Sequence, residues 1–551
     1  MRIRSSPVSP TTIEQLHAEV LGAAVALAGE GMSLRQEIAL ERPPRAELGD
    51  YSTNAALLLA PSLGEPPREV AERLGAVLQE RLAGSLDRFE VAGPGFLNLF
   101  LRPRWFAGAL KEVLDAGEGF GAGGVSRPER ILVEFVSANP TGPMHVGHAR
   151  NAAYGDALAR VLTLYGHQVV REFYVNDAGS QVRKLGESIQ ALARGEEVPE
   201  GGYKGEYVKQ LAADFAEAAS IPPAELGHMA VEAMVANMQS SLGAFGVETF
   251  DHWAYESALL SGQPSAVEHS LAILEAEGQT YRSEGALWLR TTSHGDDKDR
   301  VLVRSSGEHT YFASDIAYHQ DKRERGFQRQ IDVWGADHHG YVARMKAAYE
   351  ALGGDPEHVE MLIMQLVHLV RRGERAQMSK RAGEFVTLDD LVAEIGVDAA
   401  RWFLLSRSHD TTIDLDLDLA REQSSENPVY YVQYAHARIA SMLLKAGPER
   451  IAAALAEHGA EPEHASERGL IKRLLAFPGE VQEAARRRAP HRVAAYVLEL
   501  AQEFTAFYRD CHVLDVQPHE LESLRIALCV ATQRTIACSL DLLGVSAPAE
   551  M

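Results

Sequence analysis

The sequence predicts an α/β protein: a Rossmann-type, doubly wound parallel sheet with an insertion, preceded by a small α/β domain and followed by an all-helical domain. Three observations carry this expectation. An apolar run over 131–136 passes through a Pro- and Gly-containing turn into Ala157, Leu158, Val161, Leu162 and Tyr165 at helical spacing, closed by Gly166. Apolar runs at 169–175, 331–334 and 361–370 supply a second, third and fourth strand of the same sheet. From residue 388 to 543, Ala, Leu and Arg recur at helical spacing.

Taken in order, residues 1–112 read as the leading domain: a helix over 11–28, a turn-rich middle with Pro43 and Pro44, a helix over 68–82 and a strand over 96–101. Glycine-rich 117–124 is the linker. The sheet domain spans 125–387, with an insertion over 195–304 that holds an amphipathic helix near 207–218 and a hairpin near 281–304. The helical part spans 388–551. At 551 residues the chain exceeds one compact core, so several domains are expected.

Hydrophobic residues make up 46% and charged residues 24%, a globular composition rather than a disordered one. The cysteines are three, Cys511, Cys529 and Cys538, all in the last segment, so neither a disulfide framework nor a cysteine metal site is implied. The first residues lack the apolar core of a signal peptide, and the run over 361–370 is too short to span a bilayer; a cytoplasmic protein without membrane contact is expected. A net charge of −23, from 54 basic and 77 acidic side chains, argues against indiscriminate nucleic-acid binding and against DNA as a partner. Any RNA contact then needs a local basic surface.

Chemistry concentrates where strand turns into helix, at Asn139-Pro-Thr-Gly-Pro-Met-His-Val-Gly-His148. A helix N-terminus there aims backbone N–H groups and two imidazoles, His145 and His148, at a nucleotide phosphate. Gly147 between them leaves room for a flat adenine or ribose. An H-x-x-H pair also suits zinc, but nothing is spaced to complete the ligand set, and no metal site is assigned. Far downstream, Gln377-Met-Ser-Lys-Arg381 sits between Gly373 and Gly383 and offers Lys380 to the same phosphates.

These two segments resemble the signature pair of class I aminoacyl-tRNA synthetases, and the chain is identified as similar to the arginyl family over nearly its whole length. Glu172-Phe-Tyr-Val-Asn-Asp-Ala-Gly-Ser-Gln181, Tyr311-Phe-Ala-Ser-Asp-Ile-Ala-Tyr-His319, Trp334-Gly-Ala-Asp-His-His-Gly340 and Asn427-Pro-Val-Tyr-Tyr-Val-Gln-Tyr-Ala-His-Ala-Arg438 carry the likeness, with Gly49-Asp-Tyr-Ser-Thr-Asn54 and Ala92-Gly-Pro-Gly-Phe-Leu-Asn98 in the leading domain. The resemblance implies an arginine–tRNA ligase using ATP and Mg²⁺, with arginine and tRNA as partners. It implies activation that requires tRNA, and a monomer is the expected state. His145, His148 and Lys380 would be catalytic; Gly147, His338, Met378, Ser379, Lys380 and Arg381 would hold ATP.

Arginine's planar five-donor cation asks for paired carboxylates. Glu134 interrupts the apolar strand near its carboxyl end, where ligands of open α/β sheets bind, and a carboxylate there is costly without a cationic partner. By resemblance Glu134, Tyr311 and Asp315 face the guanidinium and Asn139 the α-amino or carboxylate group; for Asp315 a helix cap is the competing reading. Tyr430, Tyr434, Arg438, Tyr508 and Met551 would read tRNA, although aromatics at helical spacing also make cores. Arg486, Arg487, Arg488 and Arg492 form a phosphate-contact candidate whose default is a solvated face. One departure is Gln377, where the family's loop usually begins with lysine; Gly142 stands where some relatives carry a compensating lysine. Two competitors are a catalytically weak tRNA-binding relative and another nucleotidyltransferase with the same histidine signature.

Overall fold

The computed structural model describes residues 11–29, 37–375, 386–456 and 460–551. Gln377, Met378, Ser379, Lys380 and Arg381 lie outside the described residues.

The leading domain is a four-stranded antiparallel sheet, in spatial order Leu40–Glu41, Tyr51–Thr53, Phe96–Leu101, Leu86–Ala92. Helix Thr12–Ala28 begins in a capping box, with Thr11 and Glu14 each accepting the other's backbone N–H. Helix Pro67–Arg81 turns Val70, Leu74 and Leu78 inward, and Gly75 lies so close to the Phe89 ring that a Cβ would stand 2.3 Å from it.

The central sheet contains β1 (Arg130–Glu134), β2 (Gln168–Val175), β3 (His252–Tyr255), β4 (Arg329–Gly335) and β5 (Val359–Met364). All neighbours pair in parallel, in order β5-β4-β1-β2-β3. Strand order reverses between β1 and β4, so a crevice opens outside their carboxyl ends. The expected insertion over 195–304 is corrected: β3 interrupts it. Helices Ser180–Ala193, Glu206–Asp214 and Pro223–Ala244 precede β3, and a three-stranded antiparallel sheet of Thr280–Ser283, Ala286–Leu289 and Arg300–Val303 follows in place of one hairpin. Four residues with one buried side chain among them give too little periodicity to mark β3 in the sequence.

The apolar run over 361–370 is also corrected. It divides between β5 and β6 (Val367–Arg371), which belongs to another sheet with β7 (Glu374–Arg375) and β8 (Ile413–Asp416). β6 and β7 form a hairpin through Arg372 and Gly373, both at positive φ, a two-residue turn matched to strand twist. β8 pairs parallel with β6, so the region after 388 is not wholly helical.

Helix α1 (Val146–Tyr165) follows β1, and α2 (Tyr311–Glu324) precedes β4. Gly155 of α1 meets the Phe135 side chain, where a Cβ would stand 2.2 Å away. The C-terminal bundle includes α3 (Pro428–Ala456), bent at Gly447 and Pro448, α4 (His491–Asp510) and α5 (His519–Leu543). Helix α5 is long and apolar enough to cross a membrane by length and composition. Over its most apolar stretch 72% of the helix is buried within the protein, as in the core helix of a bundle. Buried Arg401 joins the bundle to α1, donating to Asp156 at 2.5 Å and to the Leu543 carbonyl at 2.8 Å.

Candidate active site

The β1–α1 connection is built on backbone strain. Val136 and Ser137 sit at φ +70° and +41°, a region a β-branched residue occupies only when its surroundings impose it. Asn151 of α1 imposes it: its Oδ1 accepts from the Val136 N–H at 2.6 Å while its Nδ2 donates to the Val333 carbonyl of β4 at 2.7 Å. The turn folds the Ser137 hydroxyl back onto Glu134 Oε1 at 2.7 Å.

His145 is the N-cap of α1. Its Nδ1 accepts from the Gly147 N–H at 3.0 Å, and His148 Nδ1 accepts from the His145 N–H at 3.2 Å, with the rings stacked 3.8 Å apart. The expectation of free backbone donors at this helix start is therefore corrected, because the imidazoles take the His145 and Gly147 N–H groups and a carbonyl takes that of Val146. Burial pushes both imidazoles down, His148 to about 4 with His145 adding to the effect. Two neutral rings whose Nδ1 atoms accept must carry their protons on Nε2, which leaves Nε2–H as the donor. Gly147 also serves the cap. A Cβ there would stand 2.8 Å from His145 Cε1, so glycine is required by the capping ring.

The second motif's flank meets the first. Val146 N–H donates to the Val386 carbonyl at 3.2 Å and Leu388 N–H to the Met144 carbonyl at 2.9 Å. His145 and Thr387 form an antiparallel bridge. Tyr207, from the inserted helices, donates to the Thr141 carbonyl at 2.7 Å, and fully buried Arg150 holds the carbonyls of Gln365, Ser408 and Thr411 at 2.6, 2.8 and 2.8 Å. The signature loop is thus tied to the insertion and to the segment around β8.

Carboxylates gather at the strand ends. Glu134 is 6% exposed; Lys322 Nζ donates to its Oε2 at 2.6 Å, and burial pushes its carboxyl up while that ammonium opposes the shift. Asp315 is five residues beyond the N-cap Thr310, so it is not a cap; its Oδ2 accepts from Tyr341 at 2.5 Å and burial raises its carboxyl. Tyr311, 60% exposed, opens α2 with its hydroxyl near Gly179. Asn139 is exposed at the loop, and exposed His338 stands close enough to Asp315 for its charge to act there.

Sequence reasoning missed Glu256. It follows β3, is 5% exposed, and is pushed up to about 7 by burial, Asp315 and Asp177. Asn176, with its amide nitrogen turned toward it, donates to Glu256 Oε2 at 2.8 Å. The signal that marks Glu134, an acid at the carboxyl end of a strand, is not readable at Glu256 because β3 itself is not. Beside it, Asp177 accepts from the Ser257 N–H and hydroxyl at 2.9 and 2.5 Å. The Tyr174 hydroxyl is raised by burial and then by Glu256, Asp315, Glu134 and Asp177 together, which marks these four as one group. Among the described residues no three His, Cys, Asp or Glu side chains converge to hold a metal ion.

On the helical bundle, Tyr430 and Tyr434 stack at 6.2 Å and 11°, and Arg438 lies over Tyr434 at 4.8 Å and Tyr508 at 5.0 Å. Tyr434, Tyr508 and Met551 are 40, 41 and 54% exposed, whereas Phe504 and Phe507 are core and His436 is buried against the Pro548 carbonyl at 2.8 Å. Within the arginine run, Arg487, Arg488 and Arg492 pair with Glu483, Glu360 and Glu480 at 2.6, 2.8 and 2.8 Å, while Arg486 and Arg487 stay exposed.

Comparison with known proteins supplies three matching families. Residues 13–101 match the arginyl tRNA synthetase N-terminal domain, 114–199 and 251–441 the class I (R) tRNA synthetase catalytic domain, and 432–551 the DALR anticodon binding domain. Proteins named arginine–tRNA ligase from Bacillus licheniformis and Bacillus subtilis are 44% and 43% identical, over 94% and 98% of this chain and the same shares of theirs. The solved arginyl-tRNA synthetase of Thermus thermophilus superposes with a TM-score of 0.76 at 26% identity, covering 98% of this chain and 99% of that one. The Plasmodium falciparum enzyme shares the fold at 17% identity, with a TM-score of 0.75 over 99% of this chain and 100% of that one.

Proposed function

The chain belongs to the arginyl-tRNA synthetase family of class I and is an arginine–tRNA ligase, and from that premise we propose how its residues divide the reaction. In the first step an arginine carboxylate oxygen bonds to the α-phosphorus of ATP as the bond to pyrophosphate breaks. In the second, a hydroxyl of the tRNA's terminal adenosine takes the arginyl group and AMP leaves.

Glu134, Asp315 and Tyr311 bind the guanidinium, and Asn139 the α-amino or carboxylate end. His145 and His148 offer Nε2–H donors to the phosphate oxygens, where negative charge grows in the transition state. Gly147 and His338 border the adenosine. Met378, Ser379, Lys380 and Arg381 complete the ATP site, which Val386 and Leu388 support by joining that segment's flank to the histidine motif. Mg²⁺ enters as the counter-ion of the ATP phosphates. Tyr430, Tyr434, Arg438, Tyr508 and Met551 bind tRNA, with exposed rings and a guanidinium for stacking bases. The same reading takes the protein as a cytoplasmic monomer.

One observation carries the pocket: the charge of half-buried Asp315 acts on buried Glu256, both carboxyls are raised by desolvation, and a cation shared by them favours both ionised forms. The test is ATP–pyrophosphate exchange by the purified chain. Exchange that needs arginine and tRNA together, with a raised arginine KM in Asp315→Asn, supports the reading. Exchange driven by another amino acid, or an unchanged arginine KM in that variant, refutes it.

A further inference from the structure

Helix α2 docks on the central sheet through a polar stripe. Asp315, Tyr318, His319 and Lys322 recur at i, i+3, i+4 and i+7, one face of the helix. Lys322 is fully buried; its Nζ donates to Glu134 Oε2 of β1 at 2.6 Å and to Asp332 Oδ1 of β4 at 2.8 Å, above the Tyr318 ring at 4.1 Å. Asp332 Oδ2 faces His319 Nε2 at 2.8 Å, and His319 Nδ1 faces the Asp315 carbonyl at 2.8 Å. The Tyr318 hydroxyl donates to Glu172 of β2 at 2.6 Å. A continuous chain of bonds therefore runs from Glu134 through Lys322, Asp332 and His319 to the backbone of Asp315.

We propose that Lys322 is a positioning residue for arginine recognition, holding Glu134 of β1 in a fixed relation to Asp315 of α2 through one chain of bonds. The proposal rests on the arginine pocket argued above. One ammonium serves two carboxylates here, Glu134 and Asp332, and Asp332 also bonds the His319 ring, so Glu134 holds the ammonium by a shared contact. Burial disfavours the Lys322 charge, but Asp332, Glu134 and Glu172 outweigh it and hold the ammonium protonated. Ser137 takes only one bond at Glu134 Oε1, and a carboxylate has further lone pairs for a ligand. Without Lys322, two buried carboxylates would share one space, one of them would take a proton, and a neutral Glu134 would no longer distinguish arginine from an uncharged isostere.

The test compares Lys322→Met with the double variant Lys322→Met/Asp332→Asn, which keeps the net charge and avoids facing carboxylates if the single variant fails to fold. KM values for arginine and ATP, and discrimination against citrulline, are measured in each, with Glu134→Gln alongside. The expected result in the folded variants is an arginine KM raised about 10- to 100-fold, the range for lost charged hydrogen bonds. The ATP KM stays unchanged, and discrimination against citrulline falls. An unchanged arginine KM, or equal losses for arginine and ATP, overturns the proposal. If Glu134→Gln raises the arginine KM while the Lys322 variants do not, this inference alone fails; if Glu134→Gln also leaves it unchanged, the pocket itself fails.

Discussion

The backbone N–H of Val146, first residue of the helix that carries His148, donates to the carbonyl of Val386, on the flank of a segment 240 residues further along the chain. Two elements of one ATP site are thereby joined by main-chain bonds, which side-chain variation leaves intact. The return is anchored by Thr387, whose hydroxyl caps helix Leu388–Ile395 and bonds Asp390 at 2.7 Å.

Thr387→Ala should cost about 1 kcal/mol of local stability, the usual value of an N-cap, and loosen this junction. Pyrophosphate-exchange kinetics should show kcat falling while the arginine KM stays where it was. A matching rise in the arginine KM would mean that the junction acts on the amino-acid pocket instead.

His148 carries a second prediction. Its imidazole is pushed down from 6.5 to about 4, so between those values the unfolded chain holds more protons than the folded one. Stability should fall as pH drops from about 6.5 toward 4 and show no contribution from His148 above that window. Thermal melts of wild type and His148→Gln should converge above pH 6.5 and separate below it, with the variant less acid-sensitive.

Glu256 predicts the opposite sign. Its carboxyl is raised from 4.5 to about 7, so the stability linked to that proton is full below 4.5 and lost as pH rises through 7. A guanidinium beside it favours the ionised form, so arginine binding should release a proton near neutrality and tighten as pH rises through 7. Calorimetry in buffers of different ionisation enthalpy detects the release, and Glu256→Gln should abolish it.

Arg438 lies over two exposed tyrosines, and stacking of a base on such a platform is worth about 1–3 kcal/mol. Arg438→Ala should raise the tRNA KM about 10-fold, near 1.4 kcal/mol, while the melting temperature moves little. A large loss of stability with an unchanged tRNA KM would assign the residue to packing.

How much of this was legible in the sequence depended on distance along the chain. The strand and helix around the histidine motif declare themselves because their periodicity and Gly166 are local, and the capping box at Thr11 is equally local. β3 did not, since a short strand with a half-exposed pattern has no periodicity to read. Glu134 was marked as a carboxylate needing a cation, but its resident partner Lys322 is 188 residues away and emerges only when α2 docks. Gly147 also makes room for the His145 ring two residues back, a need visible only once that ring caps the helix. For the arginine run the sequence offers a phosphate contact or a solvated face, and only the fold brings Glu360 to Arg488. Local rules state what a residue needs, and the tertiary structure decides which neighbour supplies it.

The most direct test is a crystal structure of the protein with a non-hydrolysable arginyl-adenylate analogue. The account predicts the guanidinium within about 3 Å of the Asp315 and Glu134 carboxylates, with the Nε2 atoms of His145 and His148 turned to the phosphate. A guanidinium bound away from both carboxylates, with Lys322 and Glu134 paired as before, would contradict it.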